Sequence, residues 1–151
     1  MKSDLPALLE QITRDFMPAR ILMAGVELGV FEALAHGARP AEELAAALNT
    51  DRRGTEILLA ALAGMGLLDR AAGKFSLKPG VGEWLLPGGA RSRVNIIMHL
   101  RHMWDAWGRL DEAVRTGRPA APTQGAGAQR DKERTRAFIT GMQEVAAPNA
   151  E

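Results

Sequence analysis

His99, His102 and Asp105 are the residues whose types most readily suggest chemistry, because imidazole and carboxylate groups bind metal ions. They lie at three-residue intervals in a segment with helical periodicity. Each step of three turns about 60° backward around a helix, so the outer two side chains diverge. The sequence offers no further ligand of the same quality nearby, and we predict no metal site. The chain has no cysteine, which excludes thiolate ligands, disulfides and thiol nucleophiles.

Pairs of glycines are the next candidates, because glycine-rich turns bind phosphate groups. The pairs "GMG", "GVG" and "GAG" begin at Gly64, Gly80 and Gly125. None of them has a third glycine three residues later, and none follows a predicted strand and opens a helix. The sequence also contains no P-loop lysine and no recognisable Ser/His/Asp set. We therefore predict no catalytic residue in this chain.

Trp104 and Trp107 share one face of a predicted helix and can line a ligand pocket. Aromatic residues at helical spacing more often belong to a core or an interface, and that interpretation is favoured. The same two alternatives apply to four methionines: Met23, Met98, Met103 and Met142. Methionine beside tryptophan suits an adaptable apolar cavity.

The N-terminal third is predicted to form two helices. Apolar residues recur at helical spacing from Leu5 to Ala35, and Pro18 is expected to divide the run. The second of these helices is apolar over more than one stripe. It therefore carries more apolar surface than a small domain needs for its own core.

Residues 37–79 are predicted to form a winged helix-turn-helix. A helix begins at Pro40, and either Thr50 or Asp51 can cap the next helix after a very short link. Two short strands follow at 67–70 and 74–77, with a glycine in the turn between them. The predicted fold class is mainly α, with a small β-wing.

The C-terminal half is predicted to contain a long helix, a linker and a final helix. The long helix runs from Ser92 to about Thr116, and the final amphipathic helix from about Asp131 to Ala147. The linker between them is rich in proline, glycine and alanine. We predict a winged-helix domain with the long helix at 1–116, a linker at 117–130, and a helix at 131–151 that leads onward.

A winged helix-turn-helix raises the question of DNA binding. The helix after the turn offers Arg52, Arg53, Thr55 and Glu56 and is then apolar, so few side chains remain to read base edges. The net charge of +1 gives no general attraction to nucleic acid or anionic lipid. A solvated first turn is the favoured interpretation. A regulator in which Arg52, Arg53 and Lys74 contact DNA is the alternative.

The N-terminal sequence carries charges every few residues and so does not fit a signal peptide. No run approaches the roughly 20 apolar residues of a membrane span. With the lack of cysteine, these features predict a soluble, cytoplasmic protein that has no membrane partner.

The order of the motifs resembles the N-terminal dimerisation domain of small-molecule O-methyltransferases that use S-adenosylmethionine, a group that includes caffeate, hydroxyindole and bacterial polyketide enzymes. The matching pieces are "ELGVFEAL", "PAEELA", "ILLAALAGMGLL" and "FSLKP". Downstream, "WGRLDEAVRTGRPA" and "FITGMQEVA" resemble the helices that lead into the catalytic domain of that family.

The resemblance implies an intertwined homodimer whose winged unit closes over the substrate cleft and does not bind DNA. It makes the first two helices dimerisation helices, with the interface residues Leu8, Ile12, Phe16, Ile21 and Leu22. It also implies that four residues line the pocket for substrate and cofactor: Met142, which matches a family methionine, and Trp104, Trp107 and Met103.

The family's cofactor-binding domain and histidine base are expected beyond Glu151. None of His36, His99 and His102 matches that base. The chain by itself is therefore expected to bind no cofactor and to be non-catalytic, whereas the full enzyme would bind S-adenosylmethionine and a hydroxylated small molecule. A pure interaction module is a third hypothesis.

Overall fold

The computed structural model of the protein describes residues 4–89, 91–119 and 128–146. The chain forms two compact units, Met1–Gly89 and Ala90–Glu151. The predicted class, mainly α with a small β-wing, is confirmed. The division into 1–116, 117–130 and 131–151 stays a prediction, and residues 120–127 and 147–151 lie outside the described part.

The N-terminal unit opens with the helices α1 (Leu5–Arg14) and α2 (Phe16–Glu27). Two helices were expected here, but the prediction that Pro18 separates them is wrong. The break falls at Asp15, and Pro18 is the third residue of α2. The first N–H groups of a helix have no partner within that helix, so a proline is tolerated there.

Helix α2 also ends earlier than predicted. Gly29 adopts a left-handed backbone conformation with φ of 76°, which stops the helix two residues after Glu27. A short helix, α3 (Val30–Ala33), follows. The buried side chain of Phe31 thereby enters the core from a separate turn, where one continuous helix had been predicted.

The helix-turn-helix consists of α4 (Ala41–Leu48) and α5 (Arg52–Gly64). Pro40 occupies the N-cap position of α4, in an extended conformation, and is not the first helical residue as predicted. Asn49 ends α4 in the left-handed conformation, and Asp51 caps α5 by accepting the Gly54 N–H at 2.7 Å. The sequence prediction had offered Thr50 or Asp51 as the cap, and the structure selects Asp51.

The wing is a three-stranded antiparallel sheet in the order β1-β3-β2. Its strands are β1 (Arg39–Pro40), β2 (Leu68–Ala71) and β3 (Lys74–Leu77). The sequence predicted β2 and β3 to within one residue but missed β1, which is only two residues long and contains a proline. In the sheet, Phe75 lies opposite Arg39 on one side and Arg70 on the other.

The core of the N-terminal unit is formed by side chains from its helices and from the strands of the wing. Its largest fully buried members are Val30, Phe31, Leu34, Leu44, Leu59, Leu62 and Phe75. Gly25 lets α2 approach α5 closely, because a Cβ added there would lie 3.2 Å from Leu62 Cδ1. The short helix α6 (Val81–Leu85) closes the unit, with Leu85 buried.

The turn between β2 and β3 contains one strained residue, Ala72. Ala72 and Gly73 have φ of 48° and 74°, the pattern of a turn in which both central residues are left-handed. In this conformation the Cβ of alanine lies too close to the following carbonyl oxygen, whereas asparagine adopts it more readily because its side chain can form local hydrogen bonds. We expect Ala72→Asn to raise the free energy of unfolding by about 0.5–1 kcal/mol, measured by urea denaturation.

Ala71→Asn is the matched control, since Ala71 is equally exposed but lies in β2, where asparagine is disfavoured. If asparagine raised the free energy of unfolding equally at positions 71 and 72, the turn conformation would not be the cause of the stabilisation.

The C-terminal unit contains α7 (Val94–Trp107), α8 (Leu110–Thr116) and α9 (Ala128–Ala146). The prediction of one helix from Ser92 to Thr116 is wrong. Gly108 and Arg109 interrupt it, and the Arg109 Nε donates to Glu112 at 3.0 Å in the first turn of α8. The final helix was predicted from Asp131 and begins three residues earlier.

Candidate functional site

The first helix displays a row of large apolar side chains on its surface. Leu5, Leu8, Leu9 and Ile12 of α1 and Phe16 at the start of α2 are all 44–60% exposed. Their spacing of three and four residues places them on one helical face. Helix α1 has no buried residue. These five residues therefore lie on the surface of the unit and outside its core. They are named the α1 apolar face below.

The five predicted interface residues divide into two groups. Leu8, Ile12 and Phe16 lie on the α1 apolar face, whereas Ile21 and Leu22 are half-buried in α2. Surplus apolar surface was predicted for the second helix, but the structure exposes most of it on α1, whereas Met23 and Val26 of α2 are buried. The role of these five residues in a dimer stays a prediction.

Helices α7 and α9 pack closely through small residues. Ala137 is buried, and a Cβ added to Gly141 would lie 3.0 Å from Ile96 Cα and 3.1 Å from Ile96 N. The His99 and Phe138 rings also meet, with centroids 5.0 Å apart. The contacts advance along α7 as the residue numbers of α9 fall. The two helices are therefore antiparallel.

The carboxylate of Glu144 caps the first turn of α7 from α9. It accepts the backbone N–H of Asn95 at 3.3 Å and of Ile96 at 3.0 Å, and the Asn95 side-chain amide at 2.8 Å. Arg93 Nη1 in turn donates to the backbone carbonyl of Glu144. No motif in the sequence predicted this pair, because its members are 51 residues apart. Only the small residues four apart, Ala137 and Gly141, signalled the buried face of α9.

The four predicted pocket residues fall at two different levels of the helix pair. Met142 adjoins Gly141 and so lies beside the first turn of α7. Met103, Trp104 and Trp107 lie in the second half of α7, about 10–16 Å further along its axis. Met103 and Trp104 are half-buried, whereas Trp107 is 63% exposed and Met142 42% exposed.

Three large apolar residues of α9 keep much of their surface exposed, although the Phe138 ring also contacts His99 of α7. Phe138 and Ile139 are about half exposed, as is Met142, and the buried positions belong to smaller residues. The side chains of Phe138, Ile139 and Met142 thus remain accessible on the surface of this unit.

The exposed face of the winged unit carries charges of both signs. Arg52 pairs with Glu42 at 3.5 Å and Arg70 with Glu56 at 3.3 Å. Ile57 follows on α5 and is 60% exposed. A helix that reads bases needs polar side chains at such positions. The surface is consequently a poor match to a DNA duplex.

Among the described residues, no group of three or more acidic or histidine side chains is arranged to hold a metal ion. His99 instead packs on Phe138. Within the same described ranges, no helix combines the length and apolarity needed to cross a bilayer.

The sequence profile of the O-methyltransferase dimerisation domain matches residues 10–87. The chain is 35% identical over 118 residues to 3-hydroxy-5-methyl-1-naphthoate 3-O-methyltransferase of Streptomyces sahachiroi, covering 78% of this chain and 34% of that enzyme. It is 34% identical over 122 residues to acetylserotonin O-methyltransferase of Mus musculus, covering 76% and 31%. The chain thus spans about a third of the length of these relatives.

Solved structures show the same fold over almost the whole chain. An O-methyltransferase family protein from Burkholderia thailandensis superposes with a TM-score of 0.79 at 26% identity, covering 98% of this chain and 44% of that one. The N,N-8-amino-8-demethyl-D-riboflavin dimethyltransferase of Streptomyces davawensis gives 0.79 at 31% identity, with 94% and 45% covered. Human N-acetylserotonin methyltransferase, solved with S-adenosylmethionine, gives 0.78 at 26%, with 98% and 47% covered.

These similarities favour the methyltransferase interpretation over the winged-helix regulator. They agree with the mixed charges of α5 and with the exposed side chains of the α1 apolar face. The chain belongs to the O-methyltransferase dimerisation-domain family.

Proposed function

We propose that this chain is the part of an S-adenosylmethionine-dependent methyltransferase that joins two subunits and covers the acceptor. The proposal rests on the profile match over residues 10–87. The exposed α1 apolar face supports it, because a dimerisation domain needs an apolar surface for its partner. In the whole protein the cofactor supplies a methyl group, and the acceptor is a hydroxylated small molecule of secondary metabolism. The lack of cysteine supports a cytoplasmic location.

The α1 apolar face supports a homodimer. Five large apolar side chains in one row form a continuous patch of the kind that marks association surfaces. Two copies related by a twofold axis would cover the same patch on each other. We propose Leu8, Ile12 and Phe16 as the centre of this interface, with Ile21 and Leu22 at its border.

The exposed apolar side chains of the C-terminal unit support a role as pocket walls. Met142 and Trp107 present apolar surface, and Met103 and Trp104 are partly covered. Mostly apolar walls are typical of small-molecule pockets. Because Met142 lies at a different level from the other three, we propose that it contacts a different part of the bound molecules.

Two measurements test this proposal. The coding sequence beyond codon 151 is expected to continue into a strand that ends in a glycine-rich turn. Sedimentation equilibrium of the 151-residue chain is expected to give a dimer. A stop codon at 152 would remove the catalytic part of the proposal, and a concentration-independent monomer would remove the dimer.

Met142→Ala tests the pocket. In the polypeptide that includes the catalytic domain, we expect the KM for the acceptor to rise about tenfold, because the truncated side chain loses apolar contact worth roughly 1.4 kcal/mol. The melting temperature should stay unchanged, since Met142 is exposed in this unit. Ile139→Ala, one turn earlier and similarly exposed, is the control. Equal effects at both positions would contradict a specific role for Met142.

A further inference from the structure

The ends of α7 and α9 satisfy each other's unpaired backbone groups. The first N–H groups of a helix and its last carbonyls have no partner within that helix. Glu144 supplies acceptors for two such N–H groups of α7, and Arg93 supplies a donor for one of the last carbonyls of α9. The pair Arg93 and Glu144 therefore caps both helices at once, and it is named the reciprocal cap below.

The charges of the reciprocal cap match the helix dipoles. The α7 N-terminus is positive and receives a carboxylate, and the α9 C-terminus is negative and receives a guanidinium. Hydrogen bonds that involve a charged partner are about twice as strong as neutral ones. The third N–H of this turn, from Val94, is met locally by Ser92 Oγ at 3.3 Å.

The same helix pair is also fixed sideways. Gly141 brings α9 within van der Waals contact of the Ile96 backbone, and backbone atoms cannot give way as a flexible side chain would. The cap fixes the position of α9 along α7, and the close contact fixes its distance from α7. Met142 lies between Gly141 and Glu144, so both constraints act on its backbone within two residues.

We propose that Glu144, with Arg93, is a positioning residue: by capping the first turn of α7 it sets the place of Met142 relative to that helix. The inference deepens the proposed function, since the placement matters to catalysis only if Met142 lines the pocket. Met142 keeps 42% of its surface exposed, so the helix contact leaves its side chain available.

The experiment uses the 151-residue chain without cofactor or acceptor, labelled with 15N and with 13C at the methionine methyl groups. Hydrogen exchange at the Asn95 and Ile96 amides reports the cap, and the Met142 methyl resonance, assigned with Met142→Leu, reports its placement. The variants are Glu144→Ala, Glu144→Gln and the control Gln143→Ala, which removes an exposed neighbour on the same helix.

We expect Glu144→Ala to speed exchange at both amides about tenfold or more and to shift the Met142 methyl resonance. Glu144→Gln retains one acceptor oxygen and should restore part of both signals, while Gln143→Ala leaves both as in the wild type. The Met65 methyl, in the other unit, should not move. If Glu144→Ala does not fold, the same comparison is made between Glu144→Gln and the wild type.

An unchanged Met142 resonance would overturn the proposal even if the amides lose protection, because the cap would then be structural only. Unchanged exchange at the Asn95 and Ile96 amides would also overturn the proposal, because Glu144 would then not protect the first turn of α7. Neither result depends on methyl transfer, so failure of this inference is distinct from failure of the proposed function.

Discussion

Leu59→Asp is expected to unfold the winged unit. Leu59 is fully buried in α5, which packs against α2, α4 and β2. An aspartate there loses the apolar contacts and places a charge where no partner or water can stabilise it. We expect the free energy of unfolding to fall by at least about 4 kcal/mol, measured by chemical denaturation.

Ile57→Asp is the matched control for this prediction. It makes the same change two residues away on the same helix, at a side chain that is 60% exposed. The indole resonance of Trp84 reports the N-terminal unit, and those of Trp104 and Trp107 report the other unit. Loss of the Trp84 signal in Leu59→Asp but not in Ile57→Asp is expected. A wild-type denaturation curve for Leu59→Asp would mean that this face of α5 is not the core.

Phe16→Asp is expected to weaken self-association far more than folding. Phe16 is the largest side chain of the α1 apolar face and is 55% exposed, so the isolated chain loses little on its replacement. In the proposed dimer it would be buried, and an aspartate there would bring an unpaired charge into the interface. We expect the Kd of the dimer to rise about a hundredfold or more, measured by sedimentation equilibrium.

Ala7→Asp provides the comparison, because Ala7 lies on the opposite side of α1 and is also exposed. It adds the same charge to the same helix and should leave the Kd within about threefold of the wild type. Equal weakening by both substitutions would indicate a general charge effect, and no weakening by Phe16→Asp would place the interface elsewhere.

The winged unit was predictable from sequence because its signals are local. Asp51 three residues before Gly54, and the run of apolar residues in α5, are sufficient to start and align that helix. The wing strands β2 and β3 alternate around a glycine turn in the same local way. Such elements are specified by neighbours in sequence, and the structure agrees with them to within a residue or two.

The errors come from residues whose effect depends on their backbone conformation. Gly29 ends α2 only because the chain turns left-handed there, and the break between α7 and α8 lies at Arg109, whose φ of −115° and ψ of 25° depart from helical values. Pro18 seemed a breaker but lies in a first turn, where it is harmless. Strand β1 escapes prediction because two residues carry no periodicity and pair with a strand 34 residues away, at Phe75 and Lys74.

The candidate site was predictable in part. The helical spacing of the apolar residues on α1 can be recognised in the sequence, and the structure shows that these side chains are exposed. The reciprocal cap was not visible, because Glu144 is separated by 49 residues from Asn95 and nothing local marks it as a cap.

The two edges of the sheet have a consequence for aggregation of the chain. One edge is β1, two residues long with Pro40 lacking an N–H, and the other is β2 with Asp69 and Arg70 exposed. Short, proline-bearing or charged edges are poor templates for strand addition, which is the usual route to fibrils. The edges of the sheet therefore disfavour aggregation by strand addition, even though large apolar side chains are exposed on the α1 apolar face.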